Sequence, residues 1–210
     1  MVPELEYKGK AMNDATTILR FLDTAVEDEK EPFVPSGLDD DIAVVDADAE
    51  GFFEACCEFF NYVDRRSYEA SVRQSLSRYI PWWAFWIDID AQTAWKRDKA
   101  QATVDAVLAT RDVDVVRARL HDRLRSYDDR LATQDWLVAS PHPTLADFAI
   151  YAKLARITDQ LGDVSIGSAQ KDILDGDDLA NVRAWFARMQ RRSPLRWKGK
   201  RVPTTTPPVA

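Results

Sequence analysis

Apolar residues recur along most of this chain at the three- and four-residue spacing of an α-helix, and at two-residue spacing only near its start. Val2-Pro3-Glu4-Leu5-Glu6-Tyr7 alternates apolar and acidic residues and predicts a short strand with Pro3 near its beginning. Lys8-Gly9-Lys10 predicts a turn, and Ala11-Met12 a second strand. Asn13 and Asp14 are helix N-cap types, and Ile18, Leu19, Phe21 and Leu22 follow at helical spacing within residues 15–26. Two strands do not make a stable unit alone. Residues 1–26 must therefore lean on the rest of the chain or on a further piece.

Residues 27–50 are acidic, carry Pro32, Pro35 and Gly37, and predict a linker. From Gly51 onward the pattern is helical. Phe52, Phe53, Cys56, Phe59, Phe60 and Val63 line one face of a helix, and residues 68–79 predict another. Pro81 punctuates the chain, and Trp82, Trp83, Phe85 and Trp86 form an aromatic cluster. Residues 91–110 and 113–133 predict two further helices, and residues 135–143 a loop. Residues 144–161 are the most apolar helical stretch, which predicts the central helix. A last amphipathic helix over 179–191 puts Val182, Trp185, Phe186 and Met189 on one face. The predicted units are a partial βα fragment over 1–26, a linker over 27–50, a helical domain over 51–198 and a disordered tail over 199–210.

The chain has 210 residues, enough for one large domain or for a medium domain with a fragment of another. A net charge of -7 argues against nucleic acid and anionic membrane surfaces as partners, because both call for clustered Lys and Arg. Cys56 and Cys57 are adjacent, so on a helix they point about 100° apart and suit neither a disulfide nor a metal site. They read as small buried apolar residues. The opening residues lack the basic and apolar run of a signal peptide, and the densest apolar stretch, 79–89, is too short to span a bilayer. The expectation is a cytoplasmic protein. His121 and His142 stand apart without ligand spacing, so no metal is expected. No phosphate-binding Gly-rich loop and no Gly-x-Ser-x-Gly occurs.

The sharpest local signal is Pro143-Thr144-Leu145-Ala146-Asp147-Phe148-Ala149. Thr144 is an N-cap type, and Asp147 stands three residues on, where its carboxylate reaches back to the Thr144 N–H. Asp147 also complements the helix dipole. Trp136-Leu137-Val138-Ala139 precedes the box by a short loop. The whole run resembles the C-terminal domain of the glutathione S-transferase superfamily, in which an aromatic-Leu-x-Gly phrase and then Pro-Thr-Leu-Ala-Asp open the buried core helix. Ser140 stands here where that family has Gly. Residues 180–185, Ala-Asn-Val-Arg-Ala-Trp, resemble its final helix. The resemblance implies that Thr144 and Asp147 serve folding rather than catalysis.

The N-terminal segment resembles the second half of the same family's thioredoxin-like domain. The implied fold is mainly α: a glutathione-transferase-like helical bundle preceded by a truncated thioredoxin-like βα fragment. The resemblance implies that Val2, before Pro3, pairs its backbone with glutathione, and that Asp14 and residue 15 hold the γ-glutamyl group. Ala15 stands where the family has Ser, so the acid is kept and the hydroxyl lost. The family's activating Tyr, Ser or Cys belongs to a first strand and helix that residues 1–26 do not resemble, so the catalytic residue is unassigned. Tyr79, Trp82, Trp83 and Trp86 are the candidates for an apolar substrate wall. The implied activity uses glutathione as thiol donor to a small electrophile and is weak or absent in this chain. The implied partner is a second copy or another protein. The alternatives are a non-catalytic interaction module of the same fold and a prostaglandin E synthase 2-like protein, whose matching segment also reads Asn-Asp.

Overall fold

The structure, a computed structural model, describes residues 5–7, 10–12, 15–25, 31–77, 80–81, 83–84, 86–158, 171–192, 196–197 and 200–201. Strand β1 (Leu5–Tyr7) pairs antiparallel with β2 (Lys10–Met12), placing Leu5 opposite Met12 and Tyr7 opposite Lys10. Helix α1 (Ala15–Ala25) follows. Its Asp23 carboxylate accepts the backbone N–H groups of Phe33 at 2.8 Å and Val34 at 3.1 Å. The Phe33 carbonyl in turn accepts the N–H of Leu145 at 2.8 Å, and the Phe33 ring meets Phe148 edge-on at 5.5 Å. The βα fragment thus leans on the rest of the chain through residues 31–34.

Residues 39–50 correct the predicted linker. Helix α2 (Asp39–Asp48) runs without a break through a π-helical segment (Ala49–Phe53), α3 (Glu54–Glu58) and a second π-helical segment (Phe59–Val63). Ile42, Val45, Ala49 and Phe53 recur at helical spacing and are buried in the core. The acidic run that reads as a linker is the start of that rod. Asp39, Asp40 and Asp41 occupy its first turn, where negative charge meets the positive end of the helix dipole. Gly37, at φ 85, makes the left-handed turn just before it.

Asp64 ends the rod in extended backbone and caps the next one, accepting the Ser67 N–H at 2.9 Å. That second rod comprises α4 (Arg65–Tyr68), a third π-helical segment (Glu69–Arg73) and α5 (Gln74–Ser77). Asp88 and Asp112 cap the long helices α6 (Ile89–Val107) and α7 (Val113–Leu131). Helix α8 (Leu145–Ile157) carries eight buried residues, among them Ile150, Tyr151, Leu154 and Ala155, and packs against α2, α3 and α9 (Ala180–Arg192). It is the central helix that its apolar composition predicts. Polar ties fix the periphery: the Tyr127 hydroxyl donates to Asp48 at 2.7 Å, and Asp128 accepts the N–H of Val182 at 2.8 Å. Beyond α9, β3 (Arg196–Trp197) pairs with β4 (Lys200–Arg201), so residues 200–201 are a strand rather than part of a tail. Residues 202–210 lie outside the described ones.

Candidate functional site

Asp147 does more than close a capping box. Its Oδ2 accepts the Thr144 N–H at 2.8 Å and the Thr144 hydroxyl at 3.1 Å. Its Oδ1 accepts the Leu137 N–H at 2.9 Å and the Trp185 indole N–H at 2.8 Å. The carboxylate joins the loop before α8, the first turn of α8 and the middle of α9. Both Thr144 and Asp147 are fully buried. Burial pushes the Asp147 carboxyl above its ordinary range, and the donated hydrogen bonds pull it back only in part. This is a folding device, with no room for a substrate atom.

Among the residues expected to bind glutathione, Val2, Pro3 and Asp14 lie outside the described ones, and Ala15 is the first residue of α1. Tyr79 and Trp82 of the expected aromatic wall also lie outside. Trp83 and Trp86 are 55% and 65% exposed, with ring centroids 5.9 Å apart. Trp95, on α6, is 63% exposed.

Cys56 and Cys57 are fully buried free thiols, as expected of apolar fillers on a helix. Burial pushes both thiols up, Cys57 to about 12. The Cys57 thiol donates to the Lys153 carbonyl at 3.3 Å. A buried, protonated thiol neither attacks an electrophile nor activates a second thiol. Around Cys57 lies an ionic cluster: Lys153 sits 2.9 Å from Glu50 and 2.7 Å from Glu54, and Arg156 lies 3.0 Å from Glu54 and 4.0 Å from Glu58. Burial pushes Glu54 up, but Lys153 and Arg156 outweigh it and hold the carboxyl low. Burial and the neighbouring Glu54 push Glu58 up. His121 faces Asp178 at 3.3 Å, and no group of three or more potential metal ligands occurs among the described residues.

A cavity of about 350 Å³ opens where the first helical rod breaks at Asp64. Tyr62, Val63, Asp64, Arg65 and Tyr68 line one side, and Arg97, Asp98, Gln101 and Arg111 the other. Arg65 bonds Glu69 at 2.6 Å. Arg97 reaches the Asp90 carboxylate at 3.3 Å and its backbone carbonyl at 2.9 Å. Arg111 clasps Asp105 with two bonds, at 3.2 and 2.8 Å. The Tyr68 ring lies between two guanidiniums, Arg65 at 6.0 Å and Arg97 at 5.4 Å, and its hydroxyl donates to Asp90 at 2.9 Å. Burial, then the nearby Glu58, pushes the Tyr62 phenol up, so it stays a neutral donor. Of these residues the sequence marks only Val63, as part of an apolar helix face. They sit on separate elements, and no periodicity or short motif joins them.

A protein-family model described as "Glutathione S-transferase, C-terminal domain" matches residues 101–188. No curated protein and no solved structure matches the chain. The matched stretch holds the end of α6, all of α7 and α8, the capping box and most of α9, including Trp185. Over residues 101–188, therefore, this chain is similar to the C-terminal helical domain of the glutathione S-transferase superfamily.

Proposed function

We propose that this chain is a glutathione S-transferase-like protein that uses glutathione as thiol donor to small electrophiles, with weak turnover or none. The observation that carries the reading is the match of residues 101–188 to that family's C-terminal domain. The resemblance of the N-terminal segment supports it: Val2 before Pro3 supplies backbone pairing, and Asp14 opposes the charged γ-glutamyl amine. The start of α1, the positive end of its helix dipole, suits the γ-glutamyl carboxylate. Weakness follows from Ala15, which lacks the hydroxyl of the family's Ser, and from Cys56 and Cys57, which burial keeps protonated. A glutathione thiol near its ordinary pKa of about 8.5 is mostly protonated at neutral pH and reacts slowly without a stabilising donor.

Titration calorimetry with glutathione, together with a spectrophotometric assay on a generic aryl halide, tests the proposal. Weak saturable binding with turnover near the uncatalysed rate is expected. Ala15→Ser should restore one hydrogen bond to a charged group and tighten glutathione about tenfold or more. If neither chain binds glutathione at millimolar concentration, the enzyme reading fails.

A second reading, a non-catalytic interaction module in the cytoplasm, draws support from Trp83, Trp86 and Trp95, three indoles left in solvent. It predicts a stable complex with another chain and no response to glutathione.

A further inference from the structure

We propose that the cavity at the Asp64 break is a binding site for a small oxyanion carrying carboxylate or phosphate groups. The cavity is built largely outside the family match. Tyr62, Val63, Asp64, Arg65, Tyr68 and Arg97 all precede residue 101. It occurs where two π-helical segments, Phe59–Val63 and Glu69–Arg73, flank a break in the backbone. Such segments interrupt regular helix at a cost and are frequent at functional sites.

The chemistry of the wall sets the ligand class. Three guanidiniums, from α4, from α6 and from the loop before α7, stand against two carboxylates, Asp64 and Asp98, in a chain whose net charge is -7. The acids that orient the arginines, Glu69, Asp90 and Asp105, are not part of the lining. Each guanidinium is thereby held in place at the wall by an acid outside the lining. Asp64 accepts the Ser67 N–H and hydroxyl at its Oδ2. The Tyr62 phenol adds a neutral donor to the lining, and the Gln101 amide oxygen accepts from Arg111 and helps to orient it. Planar guanidinium groups bind carboxylate and phosphate through paired N–H donors, and pre-oriented ones lose little freedom on binding. A volume of about 350 Å³ falls in the range of small-molecule sites.

The test is calorimetric titration of the full chain with inorganic phosphate and, separately, with succinate, at low and high salt. The chain, Arg111→Gln and Arg65→Gln are compared. Both arginines are more than half exposed, so their loss leaves folding intact, which circular dichroism checks. Saturable binding of one probe, weakened by salt and at least about tenfold weaker in both variants, is expected. Binding of phosphate alone assigns a phosphate ligand, and binding of succinate alone a carboxylate. No saturable binding of either probe, or equal affinity in the two arginine variants and the parent chain, overturns the proposal. Loss of glutathione binding with anion binding intact would count against the transferase reading only.

Discussion

A single carboxylate organises the centre of this protein. Asp147 receives two backbone N–H groups, a hydroxyl and an indole N–H, all in a dry interior. Asp147→Ala would strand three buried N–H donors, each costing about 1–3 kcal/mol. Thr144→Ala loses an N-cap and should cost about 0.5–2 kcal/mol. Urea denaturation should therefore rank Asp147→Ala as the more damaging, with Trp185→Phe near Thr144→Ala. Equal midpoints for the parent and Thr144→Ala would refute this account of the cap. Glu58 makes a different prediction. Its folded-state pKa is raised, first by burial and then by Glu54, while Arg156 and Lys99 oppose the shift. A carboxyl raised on folding contributes stability that is fully present below its unfolded pKa and lost as pH rises through the folded value. Glu58→Gln removes that loss. Its melting temperature should exceed the parent's at pH 7, and the gain should shrink toward pH 4. A constant difference across that range would contradict the assignment.

At the scale of elements, the rod over residues 39–63 sets the architecture. Its charged face looks like a linker in sequence, while Ile42, Val45 and Ala49 anchor it to the core. Gly51 sits inside its first π-helical segment, and a Cβ added there meets nothing within 4 Å. Gly51→Ala should therefore stabilise the protein by about 0.5–1 kcal/mol, because alanine restricts the unfolded chain more than glycine does. Denaturant midpoints with unchanged slope check this. The aromatic segment before α6 behaves in the opposite way to the core. Trp83 is more than half exposed, so replacing it with Ser should move stability by less than about 0.5 kcal/mol. A larger loss would show that this ring packs against residues outside the described ones.

The whole molecule combines a helical domain, similar over residues 101–188 to that of the glutathione S-transferases, with two features that expose surface. One is the β1–β2 pair, whose outer edges have no further strand among the described residues. The other is the exposed apolar set of Val44, Trp83, Trp86 and Trp95. Open strand edges and uncovered apolar surface favour association. Light scattering at micromolar concentration should therefore give a mass above that of one chain, either as a homodimer or in complex with a partner. A strictly monomeric profile would remove this expectation. No helix among the described residues is long and apolar enough to cross a membrane.

The sequence alone was enough to set the helical class, the two strands and helix of the opening and the capped central helix. Each of these depends on neighbours within a few residues: alternation over Leu5–Tyr7, apolar spacing over residues 145–157, and Thr144 three positions before Asp147. Tertiary structure decided whatever depends on residues far apart. It turned the acidic stretch over 39–50 into core helix, because three apolar side chains found a partner in α8 that a local count of charges does not reveal. It brought Leu137 and Trp185 onto Asp147 from 10 and 38 residues away. It gathered Arg65, Arg97 and Arg111 around one cavity, although each reads in sequence as an ordinary solvated charge. Periodicity records which face of an element is apolar. Only packing determines which faces meet, and therefore which polar groups converge where they meet.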